Sequence, residues 1–130
     1  MNTAPIAEKK RILVVDDLAG DTRLLKRFLE ETNKYVVLEE NDATAALSAA
    51  EKFQPHLIVL DVLMPDINGL ELASRLEANP KLQAVPIVFL TARISREQAE
   101  LCGGRLGKYL VLAKPIVLTE VADCLEKLLI

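Results

Sequence analysis

The sequence predicts one α/β domain, with a five-stranded parallel sheet covered by helices on both faces. Three observations carry that expectation. Short apolar runs recur at 11–15, 57–60, 86–90 and 108–113, and an unbroken run of that length is the pattern of a strand buried on both faces. Between them lie segments whose apolar residues return at helical spacing, so that strand and helix alternate five times. The chain has 130 residues, 51% of them hydrophobic, which suits a single core and excludes a disordered segment.

In chain order, residues 1–10 are a polar leader containing Ala4 and Pro5, expected to be flexible, and the domain is expected over 11–130. The run Ile12-Leu13-Val14-Val15 ends in Asp16-Asp17. Gly20 and Asp21 break it, and Leu24, Leu25, Phe28 and Leu29 then mark a helix to about Glu31. A short strand follows from Tyr35. Asp42 is the expected N-cap of an Ala-rich helix through Lys52, with Ala45, Ala46, Leu47 and Ala49 against the sheet.

Leu57-Ile58-Val59-Leu60 is the central strand and runs directly into Asp61. It ends in a turn, because Pro65 cannot continue a ladder and Asn68-Gly69 favours a change of direction. Leu70, Leu72, Ala73 and Leu76 mark the next helix, which should stop near Asn79-Pro80. The run at 86–90 ends in Thr91. Ser95 and Gln98 have capping-box spacing and open a short helix to about Cys102. Gly103, Gly104 and Gly107 make the following loop irregular. The last strand ends in Lys114-Pro115, and Val121, Leu125 and Leu128 give a closing amphipathic helix.

The polar residues fall at one kind of place. Asp16, Asp17, Asp61, Thr91 and Lys114 each stand at the C-terminal end of an apolar run, and parallel strands bring those ends to one edge, where open α/β sheets bind ligands. Three carboxylates there would repel one another unless a divalent cation sat among them. Hard oxygen ligands suit Mg²⁺ better than zinc. A hydroxyl from Thr91 and an ammonium from Lys114 are donors that carboxylates do not require but a phosphoryl group does.

Charge and composition remove other classes. Lys and Arg number 16 against 19 Asp and Glu, a formal net charge of -3, which leaves no basic footprint for direct nucleic-acid binding. No apolar run is long enough to span a bilayer and residues 1–10 lack the apolar middle of a signal peptide, so a cytoplasmic protein without membrane attachment is expected. Cys102 and Cys124 have no metal-ligand spacing and read as small apolar fillers on helices.

Taken together, these motifs resemble the receiver domain of two-component response regulators. The stretch from Leu60 and Asp61 through Met64-Pro65 to Gly69 is similar to the family's run from the phosphoacceptor onward, and Asp16-Asp17, Thr91-Ala92 and Lys114-Pro115 match its other motifs. The likeness covers about residues 11–129. It implies a flavodoxin-like fold with strand order 2-1-3-4-5 and a cis Lys114-Pro115 bond. Asp61 would then take a phosphoryl group from the phosphohistidine of a histidine kinase or histidine phosphotransfer protein. Mg²⁺ would be held by Asp17 directly, Asp16 mainly through water, Asp61 and the backbone carbonyl of Leu63. Thr91 and Lys114 would bind phosphoryl oxygens. The chain would catalyse only its own phosphorylation and dephosphorylation. A small shift of Thr91 would be relayed to the face of the fourth helix, fifth strand and fifth helix, which would control an effector or output domain. A phosphorylation-dependent dimer on the face carrying Tyr109 and Val111 is a further expectation, and Leu63 and Arg93 would govern access of water to the acyl phosphate.

Two positions depart from the family. Its switch aromatic, three residues before the Lys, is Val111 here; Tyr109 lies two residues earlier on the same face, roughly 6 to 7 Å along a strand. The glycine-rich stretch 102–107 replaces the family's usual approach to the last strand.

Each residue also has a blander explanation. Asp16 and Asp17 could cap a helix, Asp61 could form a turn, and Thr91 or Lys114 could be ordinary loop-edge residues. Four strand ends carrying them together argue otherwise. His56 and Asp66 are expected at the surface, without a role in the site. A haloacid-dehalogenase-type phosphatase would need its nucleophile on the first strand with a second Asp two residues later, where this chain has Leu18 and Ala19. A flavin binder would want a phosphate loop where this chain has acid. A phosphorylation-independent interaction module remains the alternative.

Overall fold

The computed structural model describes residues 9–92, 105–106 and 109–129. Strand β1 (Lys10–Val15) leads to helix α1 (Ala19–Glu31), β2 (Tyr35–Glu40), a 3₁₀ turn (Ala43–Ala45) and α2 (Ala46–Phe53). Then come β3 (Leu57–Leu60), α3 (Gly69–Ala78), β4 (Ile87–Thr91), β5 (Arg105–Leu106), β6 (Tyr109–Ala113) and α4 (Leu118–Leu128). The sheet order is β2-β1-β3-β4-β6-β5. The five long strands are parallel in the predicted order 2-1-3-4-5. What the sequence did not announce is β5, two residues antiparallel to β6 at the sheet's edge. The helix expected from Ser95, with Arg93 and Cys102, lies outside the described residues.

Alternation along each strand divides the core into two layers. Leu13, Val15, Ile58, Leu60 and Phe89 pack on α2 and α3 together with Ala46, Ala50, Leu72 and Leu76. On the other face Ile12, Val14, Leu57, Val59, Val88 and Leu90 pack on α1 and α4 through Leu25, Leu29, Val121 and Leu125. A strand with a full apolar set on both faces can only sit between two helical layers, which is why the runs lack a polar phase.

Helix faces depart from expectation in phase, and the helix expected from Asp42 starts only at Ala46, after the 3₁₀ turn. On α1 the buried residues are Thr22, Leu25 and Leu29, while Leu24 is exposed. The Thr22 hydroxyl donates to the Ala19 carbonyl and accepts from Asn41 Nδ2, so a polar side chain is buried without loss of hydrogen bonds. Next to α2, Ala43, Ala46 and Ala50 are buried, whereas Ala45, Leu47 and Ala49 are half-buried. On α3, Gly69 replaces the exposed Leu70 in the buried set. Asp42 was expected to cap α2 but caps the 3₁₀ turn before it, its Oδ1 accepting from the Thr44 amide at 2.9 Å, and α2 itself follows Ala45 with no side-chain cap; Asn68 caps α3 by accepting from the Glu71 amide at 2.9 Å. These caps fix where the 3₁₀ turn and α3 begin. The Lys114-Pro115 bond is cis.

Candidate functional site

The ladder register sets which residues meet. Val15 pairs with Leu60, Leu60 with Phe89, and Thr91 with Ala113. The residues one step beyond therefore converge on one edge: Asp16 beside Asp61, and Lys114 beside Thr91. Backbone bonds carry the alignment past the last ladder pair, from the Asp61 amide to the Val15 carbonyl at 3.0 Å and from the Lys114 amide to the Thr91 carbonyl at 2.9 Å. Asp16, Asp61 and Thr91 are buried, while Asp17 is exposed at the mouth.

Carboxylate oxygens from Asp16, Asp17 and Asp61 lie within 4.8 Å of one another. The Lys114 ammonium reaches across, 2.6 Å from Asp16 Oδ2, 3.0 Å from Asp21 Oδ2 and 3.6 Å from Asp61 Oδ2. Asp16 Oδ1 also accepts from the Leu18 amide at 3.0 Å, and Asp61 Oδ1 from the Leu63 amide at 3.2 Å. The Asn41 amide donates to the Asp16 carbonyl at 2.9 Å and so braces the first loop against the one after β2.

Electrostatics follow from this crowding. Burial, and then the neighbouring Asp16 charge, push the Asp61 carboxyl up to about 6, against the opposing pull of Lys114 and the Leu63 amide. Burial works to lower the Lys114 ammonium, but its hydrogen bonds to Asp16 and Asp21 outweigh that and hold it above the ordinary lysine value. The ammonium is thus a fixed positive charge at working pH. A cluster of hard oxygens with a carboxyl forced upward by burial and by the neighbouring Asp16 is a donor set that fits a small divalent cation. Among the described residues no His or Cys belongs to it.

The structure brings together Asp16, Asp17, Asp61 and Lys114, with Thr91 at the adjoining strand end. Leu63 lies in the loop two residues beyond Asp61, its side chain half-exposed. Asp66 is exposed and adopts a φ of 70° in the turn, a conformation that Asp tolerates better than most residues. His56 is half-buried rather than a free surface residue, because its Nδ1 accepts from the Arg11 amide at 2.9 Å; it stands at the opposite end of β3 from Asp61.

Two residues were missed. Asp21 joins the site through Lys114, and the available signal was an acid in the first turn of a helix that starts at the strand edge. Gly69 was read only as a turn former, yet a Cβ there would lie 2.2 Å from the Asp61 carbonyl oxygen. Its amide donates to the Val62 carbonyl at 2.8 Å, so α3 begins directly against the acceptor loop. Val111 is buried in the α3-side layer, and Tyr109 packs edge-on to Phe89, ring centroids 5.0 Å apart, with its hydroxyl donating to Glu77. The surface expected there therefore belongs to Tyr109 and not to Val111.

Comparison with known proteins gives one consistent result. The profile described as the response regulator receiver domain matches residues 12–126. A Leptolyngbya boryana protein known as an uncharacterized 14.6 kDa protein in the sodA1 3′ region is 41% identical over 105 residues, 81% of this chain and 79% of that one. The Bacillus subtilis alkaline phosphatase synthesis transcriptional regulatory protein PhoP is 38% identical over 112 residues, 86% of this chain but 45% of that protein, so the chain spans less than half of this longer relative. The crystal structure of a response regulator from Desulfuromonas acetoxidans superposes with a TM-score of 0.77 at 25% identity, covering 92% of this chain and 96% of that one.

Proposed function

The chain belongs to the response regulator receiver domain family, and from that premise we propose that it accepts a phosphoryl group on Asp61 from a phosphohistidine in a two-component phosphorelay. Receiver domains are regulatory phosphoacceptors that bind Mg²⁺ at an acidic pocket and work with histidine kinases and output domains. The observation that carries the reading is the convergence of Asp61 with Asp16, Asp17 and Lys114 on one sheet edge.

In the step proposed, a carboxylate oxygen of Asp61 forms a bond to phosphorus as the phosphorus–nitrogen bond of the donor breaks, and the electron pair leaves on the imidazole. Such transfers depend on positioning and charge neutralisation more than on a general base. The β3 end and the Leu63 amide orient Asp61. Lys114 supplies a permanent positive charge beside the nucleophile, and Thr91 a hydroxyl for a phosphoryl oxygen. Mg²⁺, held by Asp16, Asp17, Asp61 and the Leu63 carbonyl, would offset the remaining negative charge. The acyl phosphate would then draw Thr91 and Lys114 inward and bias the face of β6, α4 and the helix expected from Ser95 toward binding an effector or output domain. A dimer formed on that face after phosphorylation belongs to the same proposal, as does a cytoplasmic location. Among the described residues no helix is long and apolar enough to cross a membrane.

Intact mass after incubation with acetyl phosphate and Mg²⁺ tests this directly. The expected gain is one phosphoryl group, roughly 80 Da, absent with Asp61→Asn and absent with EDTA. No adduct on the wild-type protein would overturn the phosphoacceptor role and leave a phosphorylation-independent interaction module.

A further inference from the structure

Lys114 is shared among three carboxylates, and they are not equivalent. Asp16 and Asp61 belong to the oxygen cluster suited to a cation, and Asp61 is in addition the proposed acceptor. Asp21, on the first turn of α1, is neither. It nevertheless lies 3.0 Å from the Lys114 ammonium, nearer than Asp61 at 3.6 Å. An ammonium has three donors, and Asp16 and Asp21 occupy the two short contacts. When a cation draws on Asp16 and Asp61, Asp21 is the one carboxylate left to hold Lys114.

We propose that Asp21 is a positioning residue that holds Lys114 away from the acceptor carboxylate and thereby lowers the site's affinity for phosphoryl-like anions. This rests on the phosphoacceptor reading of Asp61. Charge counting supports the sign. With Asp16, Asp17, Asp21, Asp61, Lys114 and a divalent cation, the pocket carries one net negative charge, and without the Asp21 charge it is neutral. An incoming anion meets both a weaker repulsion and a lysine released from a competing partner. The Asp21 side chain is 32% exposed against 9% for Lys114, so its field is partly screened and the effect must shrink with salt.

Beryllofluoride, an anion that mimics the phosphoryl group on a carboxylate, is the probe. Its affinity would be measured by titration calorimetry at saturating Mg²⁺ for the wild type, Asp21→Asn and Asp21→Glu. Asp21→Asn keeps the shape and removes the charge, so it is expected to bind about two- to fivefold tighter in 50 mM salt, the upper part of the range that a partly exposed ion pair spans. The gain should fall below about twofold in 1 M salt as screening removes the charge. Asp21→Glu is expected to return affinity toward the wild type. The ¹⁵Nζ and ¹Hζ signals of Lys114 should also shift in Asp21→Asn before any anion is added, which a merely structural role on the helix surface would not produce. Equal or weaker binding by Asp21→Asn, beside a wild type that does bind, overturns the proposal alone. Failure of the wild type to bind overturns the acceptor reading and this inference with it.

Discussion

Asp61 is held in a place that its own charge disfavours, and the consequence can be measured at the scale of that one residue. Its carboxyl is raised from an ordinary value of 3.8 to about 6, chiefly by burial. Below about pH 4 the group is protonated in folded and unfolded chains alike and costs nothing. Between there and pH 6 the unfolded chain gives up its proton first, so stability declines as pH rises. The full deficit above pH 6 is on the order of 3 kcal/mol, from about two pH units at 1.36 kcal/mol each. Urea melts in EDTA are therefore expected to show the wild type losing stability relative to Asp61→Asn from pH 4 to 6, so that Asp61→Asn is the more stable protein at pH 7. Parallel curves would contradict the assigned cause. The acid at 61 was legible in the sequence because it interrupts an apolar run at its end. That Lys114 meets it at one sheet edge was legible too, from the strand ends; the 3.6 Å contact itself, made across 52 intervening positions, was set by the sheet.

Among the elements, α3 and α2 are fixed by contacts that leave no room. A methyl group on Gly69 would lie 2.2 Å from a backbone oxygen of the acceptor loop, and a backbone cannot turn aside as a side chain can. Gly69→Ala is expected to cost about 1–3 kcal/mol, as overpacking does, and to slow adduct formation on Asp61 because the loop must shift. Differential scanning fluorimetry and the intact-mass assay read the two effects separately, and an unchanged melting temperature would remove Gly69 from this role. On α2 the buried phase is Ala46 and Ala50, with Ala49 half-buried. Ala50→Leu should destabilise by about 1–3 kcal/mol, whereas Ala49→Leu should change stability by less than about 0.5 kcal/mol. Equal losses would place the helix in another phase. The sequence showed that this helix exists, but it starts at Ala46, and Asp42 caps the 3₁₀ turn that precedes it. The sequence did not show which alanines touch the sheet, because Ala46, Ala49 and Ala50 offer little contrast for a periodicity to use.

At the scale of the whole molecule, five parallel strands deliver their C-terminal ends to one edge, and the domain's stability is coupled to whatever binds there. Mg²⁺ bound to the folded chain alone should stabilise it by about 2.7 kcal/mol at a hundredfold excess over its dissociation constant. The melting temperature should thus climb with Mg²⁺ concentration and cease to do so in a variant carrying Asp16→Asn and Asp17→Asn; a climb of equal size in that variant would put the cation elsewhere. The sequence by itself determined the fold class, the strand order through family likeness, and the residues that stand at the strand ends. These are local facts: an apolar run states its own burial, and the residue after it is adjacent by covalent bond. Tertiary structure alone decided that Asp21 shares Lys114, that Gly69 abuts the Asp61 carbonyl, that Thr22 is buried in place of Leu24, and that β6 gains a short antiparallel neighbour. Each depends on the distance and register between segments far apart in the chain, which packing sets and no local pattern encodes.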